Sequence, residues 1–314
     1  MNRRDFMLTA ALPVFSPSGP ATISASQDVR PGEFRGSLCL FSKHVPWLTG
    51  KELASVVRKL GFNGIDLTVR PGGHVLPEAA ATTMPPLVEA IRSEGVEVPM
   101  ITTALLNASD ATARPILSTA GRLGIPFAKL GYYRYGFRDL DGELATVAGQ
   151  LRSLVDLAAE CKIQLGYHNH SGYVGAPLWD VAKIIGPWDP QWIGYYFDIR
   201  HAVVEGGDAG WKIATLLAAP RLKMLAVKDF YWDKGPKGWA VRNCPLGQGM
   251  VDWPKFLAML AAAKFAGPVS LHVEYDPGGA SEPAKREAML AAAEQDLQFL
   301  RAQLKAAYGT VAGA

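Results

Sequence analysis

Polar and apolar positions alternate along the chain in two rhythms. Eight short runs rich in branched and aromatic residues, each bounded by turn-forming residues, occur at 36–41, 64–69, 96–102, 126–132, 163–169, 193–199, 223–229 and 268–275. Runs of that length and composition predict strands. Between them apolar residues recur at helical spacing, near 50–60, 84–94, 112–123, 141–161, 177–186, 209–218, 252–265 and 283–306. Strand and helix in strict alternation predict βαβ units and a parallel sheet. Eight such repeats predict an α/β chain closed into a single (β/α)8 TIM barrel over 34–308 rather than an open doubly wound sheet. No GxGxxG or Walker loop follows the first run, which disfavours a nucleotide-binding sheet.

The boundaries carry their own signals. Thr49 and Asp110 precede periodic runs as candidate helix caps. Gly61, Gly124 and Gly267 close helices where a left-handed residue is needed. "Gly then strand" also recurs as a weak internal repeat. The longest irregular stretch, Tyr231 to Val251, holds Trp232, Trp239 and Arg242 and predicts a substrate-covering loop.

Composition narrows the classes. Of 314 residues 49% are hydrophobic, enough for a large core, and the formal charge is only +3. No run of five or six basic residues occurs, so nucleic acid is not the expected partner. Cys39, Cys161 and Cys244 lie far apart with no CxxC and read as separate thiols. Residues 1–27 differ from the rest. Arg3 and Arg4 followed by Phe6, a short apolar stretch from Leu8 to Phe15 and a small-residue exit near Ser24–Ser26 resemble a twin-arginine export signal. The expectation is a periplasmic protein with no stable membrane anchor, since no segment reaches 18 apolar residues.

Candidate chemistry concentrates at three strand ends. Leu165–His170 ends in two imidazoles, Phe197–His201 carries Asp198 and His201, and Leu271–Tyr275 carries His272 and Glu274. Side chains alternate along a strand, so His168 with His170, and His272 with Glu274, share a face. A lone strand-end histidine is more often a structural hydrogen-bonding residue. Four of the six histidines at these ends instead predict a divalent-metal site at the barrel mouth. Mixed carboxylate and imidazole ligands suit Mn²⁺, Zn²⁺, Co²⁺ or Mg²⁺. Lys228 shares the parity of Ala226 and either points inward or faces solvent. Lys129, inside an apolar strand, needs a partner or a role. Asp66 and Arg70 share a face, and the loop after them offers His74 and Glu78 to a ligand or forms a plain turn. Trp179, Tyr195 and Tyr196 either stack on a sugar or pack the core.

In these phrases the chain resembles the xylose isomerase-like TIM barrels, a group that includes sugar phosphate isomerases/epimerases, ketose 3-epimerases, inosose dehydratases and, more distantly, endonuclease IV. The resemblance covers residues 34–306. It is strongest in Tyr167–His170, Asp198–His201, Val227–Asp229 and His272–Glu274. The epimerases hold their metal with a Glu on strand five, an Asp on six, a His on seven and a Glu on eight. Carried over, these positions are His168, Asp198, Ala226 and Glu274. Two depart from the pattern: His168 replaces a carboxylate, and Ala226 has no ligand, so His201 or His272 compensates or the metal is held weakly or not at all.

The resemblance implies a metal-dependent sugar isomerase or epimerase working by proton abstraction next to a carbonyl. The alternatives are a 3-keto-glycoside lyase or hydratase on the same barrel and a non-catalytic sugar-binding barrel. Expected roles are catalysis for Glu274, His168 and Lys228, and metal ligation for His168, Asp198, His201 and Glu274. Contact with a small carbohydrate is expected from His170, His201, Lys129, His74, His272 and Asp229. Many relatives form dimers or tetramers, so a homo-oligomer is compatible with the resemblance.

Overall fold

Apolar runs flanked on both sides by amphipathic helices must bury both faces, and the eight predicted strands do so by closing on themselves. In the computed structural model, which describes residues 33–311, they are β1 (Leu38–Phe41), β2 (Gly64–Val69), β3 (Glu97–Thr103), β4 (Phe127–Lys129), β5 (Gln164–His168), β6 (Ile193–Asp198), β7 (Leu222–Val227) and, as the eighth barrel strand, β10 (Val269–Leu271). All pair in parallel around a closed barrel in the order β1-β10-β7-β6-β5-β4-β3-β2. Helices α1 (Gly50–Lys59), α2 (Ala80–Arg92), α3 (Ala113–Arg122), α4 (Leu140–Cys161), α5 (Trp179–Ile185), α6 (Ile199–Ala218), α7 (Trp253–Ala262) and α8 (Glu282–Val311) alternate with the strands. This is the (β/α)8 TIM barrel that the two rhythms predict. It lies within one compact unit, Pro31–Ala314. The expected export segment, 1–27, lies outside the described residues.

Strand parity decides what faces inward. Register pairs Ala226 with Asp198 on one side and with Ser270 on the other. Met100, Tyr196, Met224 and Ala226 fill the barrel interior as one buried cluster. The alanine on the seventh strand is therefore a packing residue, and the polar residues two positions further along each strand open at the mouth.

Local chemistry departs from expectation in four places. The span α6 is broken at Gly207 (φ 56°): the segment after the break is the helix expected at 209–218, and the segment before it, from Ile199, is an unexpected one that Asp198 caps by accepting from the His201 N–H at 3.2 Å. Thr49 makes no side-chain capping bond, while Asp110 accepts from the Thr112 N–H at 2.8 Å, a turn just before α3. Gly61 and Gly124 are left-handed as expected, but after α7 that role falls to Lys264 (φ 55°) and not to Gly267. The stretch from Tyr231 is not irregular. Much of it is an antiparallel hairpin, β8 (Asp229–Gly235) and β9 (Gly238–Cys244).

Candidate active site

Strand β6 ends at Asp198, a fully buried carboxylate. Being both strand end and helix cap, it brings the first turn of α6 over the mouth and sets His201 beside it. Its Oδ2 lies 3.2 Å from His168 Nε2, 3.2 Å from Lys228 Nζ and 3.7 Å from His201 Nε2. Burial works to raise the Asp198 pKa, but the Lys228 ammonium and the His201 and His168 rings outweigh it and hold the carboxyl well below its usual range. Burial in turn lowers His168 to about 3 and His201 well below its ordinary value, so both rings are neutral.

Neutral rings have defined donors. An ionised carboxylate only accepts, so His168 donates through Nε2–H to Asp198, and its Nδ1 accepts from the Tyr132 hydroxyl at 3.1 Å. Arg200 donates through Nη1 to His201 Nδ1 at 2.9 Å, which leaves the ring proton of His201 on Nε2. On the third ring, His170, Nδ1–H donates to the Ser171 carbonyl at 3.0 Å, so its Nε2 carries a lone pair. His170 lines the mouth cavity.

A second carboxylate faces Asp198 across Lys228. The ammonium also lies 3.2 Å from Glu274 Oε2, while Lys43 Nζ and His272 Nδ1 approach Glu274 Oε1 at 3.5 and 3.7 Å. Burial raises the Glu274 pKa, but His272, Lys228 and Lys43 together hold it far below the carboxylate range. Behind it runs a chain of polar groups. Tyr196 and Ser270 donate to Asp66 Oδ2 at 3.1 and 2.8 Å, Thr102 donates to Asp66 Oδ1 at 2.7 Å, and His272 Nε2 lies 3.0 Å from the Tyr196 hydroxyl. Above the floor lies a cavity of about 200 Å³ lined by His168, His170, Lys129, Lys228, His272 and Glu274 and by Phe41, Arg70 and Tyr132.

Distances within this cluster suit a divalent ion: one donor atom each from His168, Asp198 and His201 lies within 4.8 Å of the others. The hydrogen bonds do not suit it. A metal-bound histidine donates its second N–H to an acceptor, whereas His201 Nδ1 receives from a guanidinium, which only donates. Lys228 moreover places an ammonium on the Asp198 oxygen that would ligate, and Glu274 stands on the far side of that ammonium. The residues as arranged do not fit a metal held on these ligands.

The mouth thus gathers most of the sequence-predicted residues: His168, His170, Asp198, His201, Lys129, Lys228, His272 and Glu274. Two do not join. His74 is tied to Thr68 and the Leu48 carbonyl, and Asp229 anchors the segment after the hairpin; neither lines the cavity. The hairpin contributes no lining residue, so Trp232, Trp239 and Arg242 do not cover it; its Asn243 instead donates to the Glu274 carbonyl at 3.1 Å. Trp179 is exposed on α5 and Tyr195 is core, whereas Tyr196 reaches the site. Lys43 and Tyr132 were not anticipated. Lys43 has the inward parity of β1, two residues past Phe41, and that was the available signal; Tyr132 closes the run expected at 126–132 but lies beyond β4, out of parity with Lys129, so the alternation did not point to it.

A family model described as "Xylose isomerase-like TIM barrel" matches residues 54–303. Inosose dehydratase of Salmonella typhimurium is 25% identical over 156 residues, 44% of this chain and 48% of its own, so the chain spans about half the length of the curated relatives it matches. Among solved structures, D-psicose 3-epimerase with D-tagatose from Clostridium cellulolyticum H10 superposes with a TM-score of 0.66 at 15% identity, covering 85% of this chain and 99% of that one. The apo 3-keto-D-glucoside 4-epimerase of E. coli gives 0.65 at 16%, covering 85% and 100%. A xylose isomerase-like barrel from Mycobacterium smegmatis in complex with magnesium gives 0.60 at 17%, covering 88% and 100%.

Proposed function

Because the chain belongs to the xylose isomerase-like TIM barrel family, we propose that it is a carbohydrate isomerase, epimerase or lyase that removes a proton next to a sugar carbonyl. One observation carries this reading: the Lys228 ammonium sits 3.2 Å from both Asp198 and Glu274 beside a cavity lined by proton-accepting groups. A fixed positive charge there faces the oxygen of an enediolate as it forms. His170 Nε2, held as an acceptor by its bond to the Ser171 carbonyl, is the group placed to take the α-proton, while the ionised Glu274 helps hold the Lys228 ammonium in place. Asp198 and His168 hold Lys228 and Tyr132 in place. Return of the proton to the opposite face gives an epimer, and delivery to the adjacent carbon an isomer. Loss of a β-substituent gives a lyase product, the outcome suggested by the short likeness to inosose dehydratase.

The test is incubation of keto-sugars and 3-keto-glycosides with the purified protein in D₂O. Deuterium entering at the carbon next to the carbonyl supports the reading, and aglycone release selects elimination. Absence of both across the panel, with sugar still bound, would indicate a non-catalytic sugar-binding barrel.

A second reading, a divalent ion on His168, Asp198 and His201, is favoured by the buried His201 Nε2, which has no hydrogen-bond partner among the described residues. It requires the His201 proton to move to Nδ1 and Lys228 to leave Asp198. Metal analysis of the purified protein separates the two: stoichiometric metal lost in both Asp198→Ala and His168→Ala selects the ion. We also propose that residues 1–27 direct export to the periplasm; fractionation of cells carrying Arg3→Lys/Arg4→Lys, with the protein retained in the cytoplasm, is the expected result. Among the described residues no helix is long and apolar enough to cross a membrane.

A further inference from the structure

Beside the mouth cavity, and sharing Arg70, Lys129 and Tyr132 with it, lies a second cavity of about 250 Å³ between the loops that follow β3, β4 and β5. Two of its walls are guanidinium groups, Arg70 and Arg134, and a third is the Lys129 amine, whose pKa is held well below its ordinary value by burial and the nearby Arg70. No carboxylate lines it, and among the described residues none of the three makes an ion pair. Each rests on an aromatic face instead. Arg70 lies 5.5 Å from the Phe41 ring centroid, Lys129 Nζ 3.6 Å from that of Tyr132, and Arg134 5.0 Å from that of Tyr173. The Arg134 and Tyr173 backbones are bridged to each other, which ties the two loops together.

Such contacts orient a cation without neutralising it. Two carboxylates behind the mouth cavity are already engaged: Asp66 by three hydroxyls, Glu274 by Lys228 and Lys43. Lys129 is only 1% exposed, and burial together with Arg70 disfavours its charged form more than the Asp66 carboxylate favours it, so an anion bound beside it would draw a proton to this amine. Like charges converging on one concave wall repel each other, and a bound anion removes that cost.

We propose that this second cavity is a subsite for an anionic group, a carboxylate or a phosphate, carried by the sugar whose carbonyl end enters the mouth. Arg70 and Lys129 belong to both cavities, so one substrate spans them: its reacting carbons face Lys228 and its anion lies between Arg70 and Arg134. The proposal rests on the carbohydrate reading above and narrows it to sugar acids or sugar phosphates. The sugars named for the two epimerase structures, D-tagatose and a 3-keto-D-glucoside, carry no such charge.

The test is isothermal titration of the full chain with three probes: D-galacturonate, D-fructose 6-phosphate and neutral D-fructose. The expected result is at least tenfold tighter binding of one charged probe than of fructose, weakened severalfold by raising the salt concentration. That preference collapses toward unity in Arg70→Gln/Arg134→Gln, falls severalfold in Arg134→Gln and is partly kept in Arg134→Lys. Whichever charged probe binds tighter identifies the anion as carboxylate or phosphate. Arg134 is exposed, so the single variant Arg134→Gln, checked by its melting temperature, guards against misfolding of the double variant. Equal affinity for charged and neutral probes, or a preference unchanged in both variants, overturns the subsite. Deuterium exchange is measured separately: charged probes that bind but never exchange count against the proposed reaction and leave the subsite standing.

Discussion

Two aspartates at strand boundaries of this barrel, Asp198 and Asp229, are equally buried and do opposite things. Asp198 accepts one backbone N–H, that of His201 at the start of α6, and otherwise collects side chains, Lys228 and His168, with the His201 ring 3.7 Å away. Asp229 collects the Phe230 N–H at 2.8 Å, those of Gly247, Gly249 and Val251 at 2.9–3.3 Å, and the indole N–H of Trp253 at 2.8 Å. Gly249 is glycine because a Cβ there would stand 2.1 Å from Asp229 Oδ1. Backbone donors cannot leave or change protonation, so Asp229 is a knot fastening residues 247–253 to the end of β7. Side-chain donors can exchange partners with a ligand, so Asp198 is poised for chemistry. The nature of its donors, more than burial, separates a working carboxylate from an architectural one.

The sharpest way to break this comparison is to delete the knot. Asp229→Ala strands several buried N–H groups, and we expect a loss of about 3–5 kcal/mol in unfolding free energy by urea denaturation. A loss below about 1 kcal/mol would put the two aspartates in one class. Next, Asp198→Asn and Lys228→Met should each lower the deuterium-exchange rate by about 10²-fold or more, roughly 2.7 kcal/mol of barrier, while each keeps a cooperative melt. Exchange at wild-type rate in Lys228→Met would remove the ammonium from the mechanism.

A smaller effect comes from Asp296 on α8, which accepts from the Leu246 N–H and the Tyr275 hydroxyl. Burial pushes its pKa up to about 6. A carboxyl raised by folding retains in the native state a proton that the unfolded chain releases near pH 4. Its stabilising contribution is complete below that pH and is lost as pH rises through 6. Melting temperature followed from pH 4 to 7 should therefore fall more in wild type than in Asp296→Asn, by the equivalent of roughly 1–3 kcal/mol. Parallel curves would contradict it. The smallest effect is expected of Trp253→Phe, which removes one of the five donors to Asp229 and should cost about 1–2 kcal/mol without altering exchange.

Much of the site was readable because strand parity is rigid. Once the strands were placed, the even spacing of His168 and His170, of Ala226 and Lys228, and of His272 and Glu274 put each inward-facing set on the barrel interior. Asp-x-x-His was legible as a pair, although its physical cause is a helix cap and not a ligand spacing. Asp229 misled because a carboxylate next to Lys228 in a strand-end phrase looks the same whether backbone or substrate supplies its donors. His74 misled for a similar reason: a histidine after Gly-Gly reads as ligand-facing until Thr68 and Leu48 claim it.

The sequence alone determined the closed barrel, because the period of two against the period of 3.6 is written in consecutive residues and leaves few ways to bury both faces. It also determined which strand ends are polar. Only the tertiary structure decided how those ends meet. Asp66 finds Tyr196 and Ser270 across 130 and 204 residues of chain. Lys228 comes to rest between Asp198 and Glu274, and Arg200 sets the proton of His201. Arg70, Lys129 and Arg134 settle on aromatic faces instead of carboxylates. Hydrogen-bond partners and charge neutralisation depend on distances of a few ångströms between residues far apart in the chain. Barrel closure and packing set such distances, and no local pattern records them.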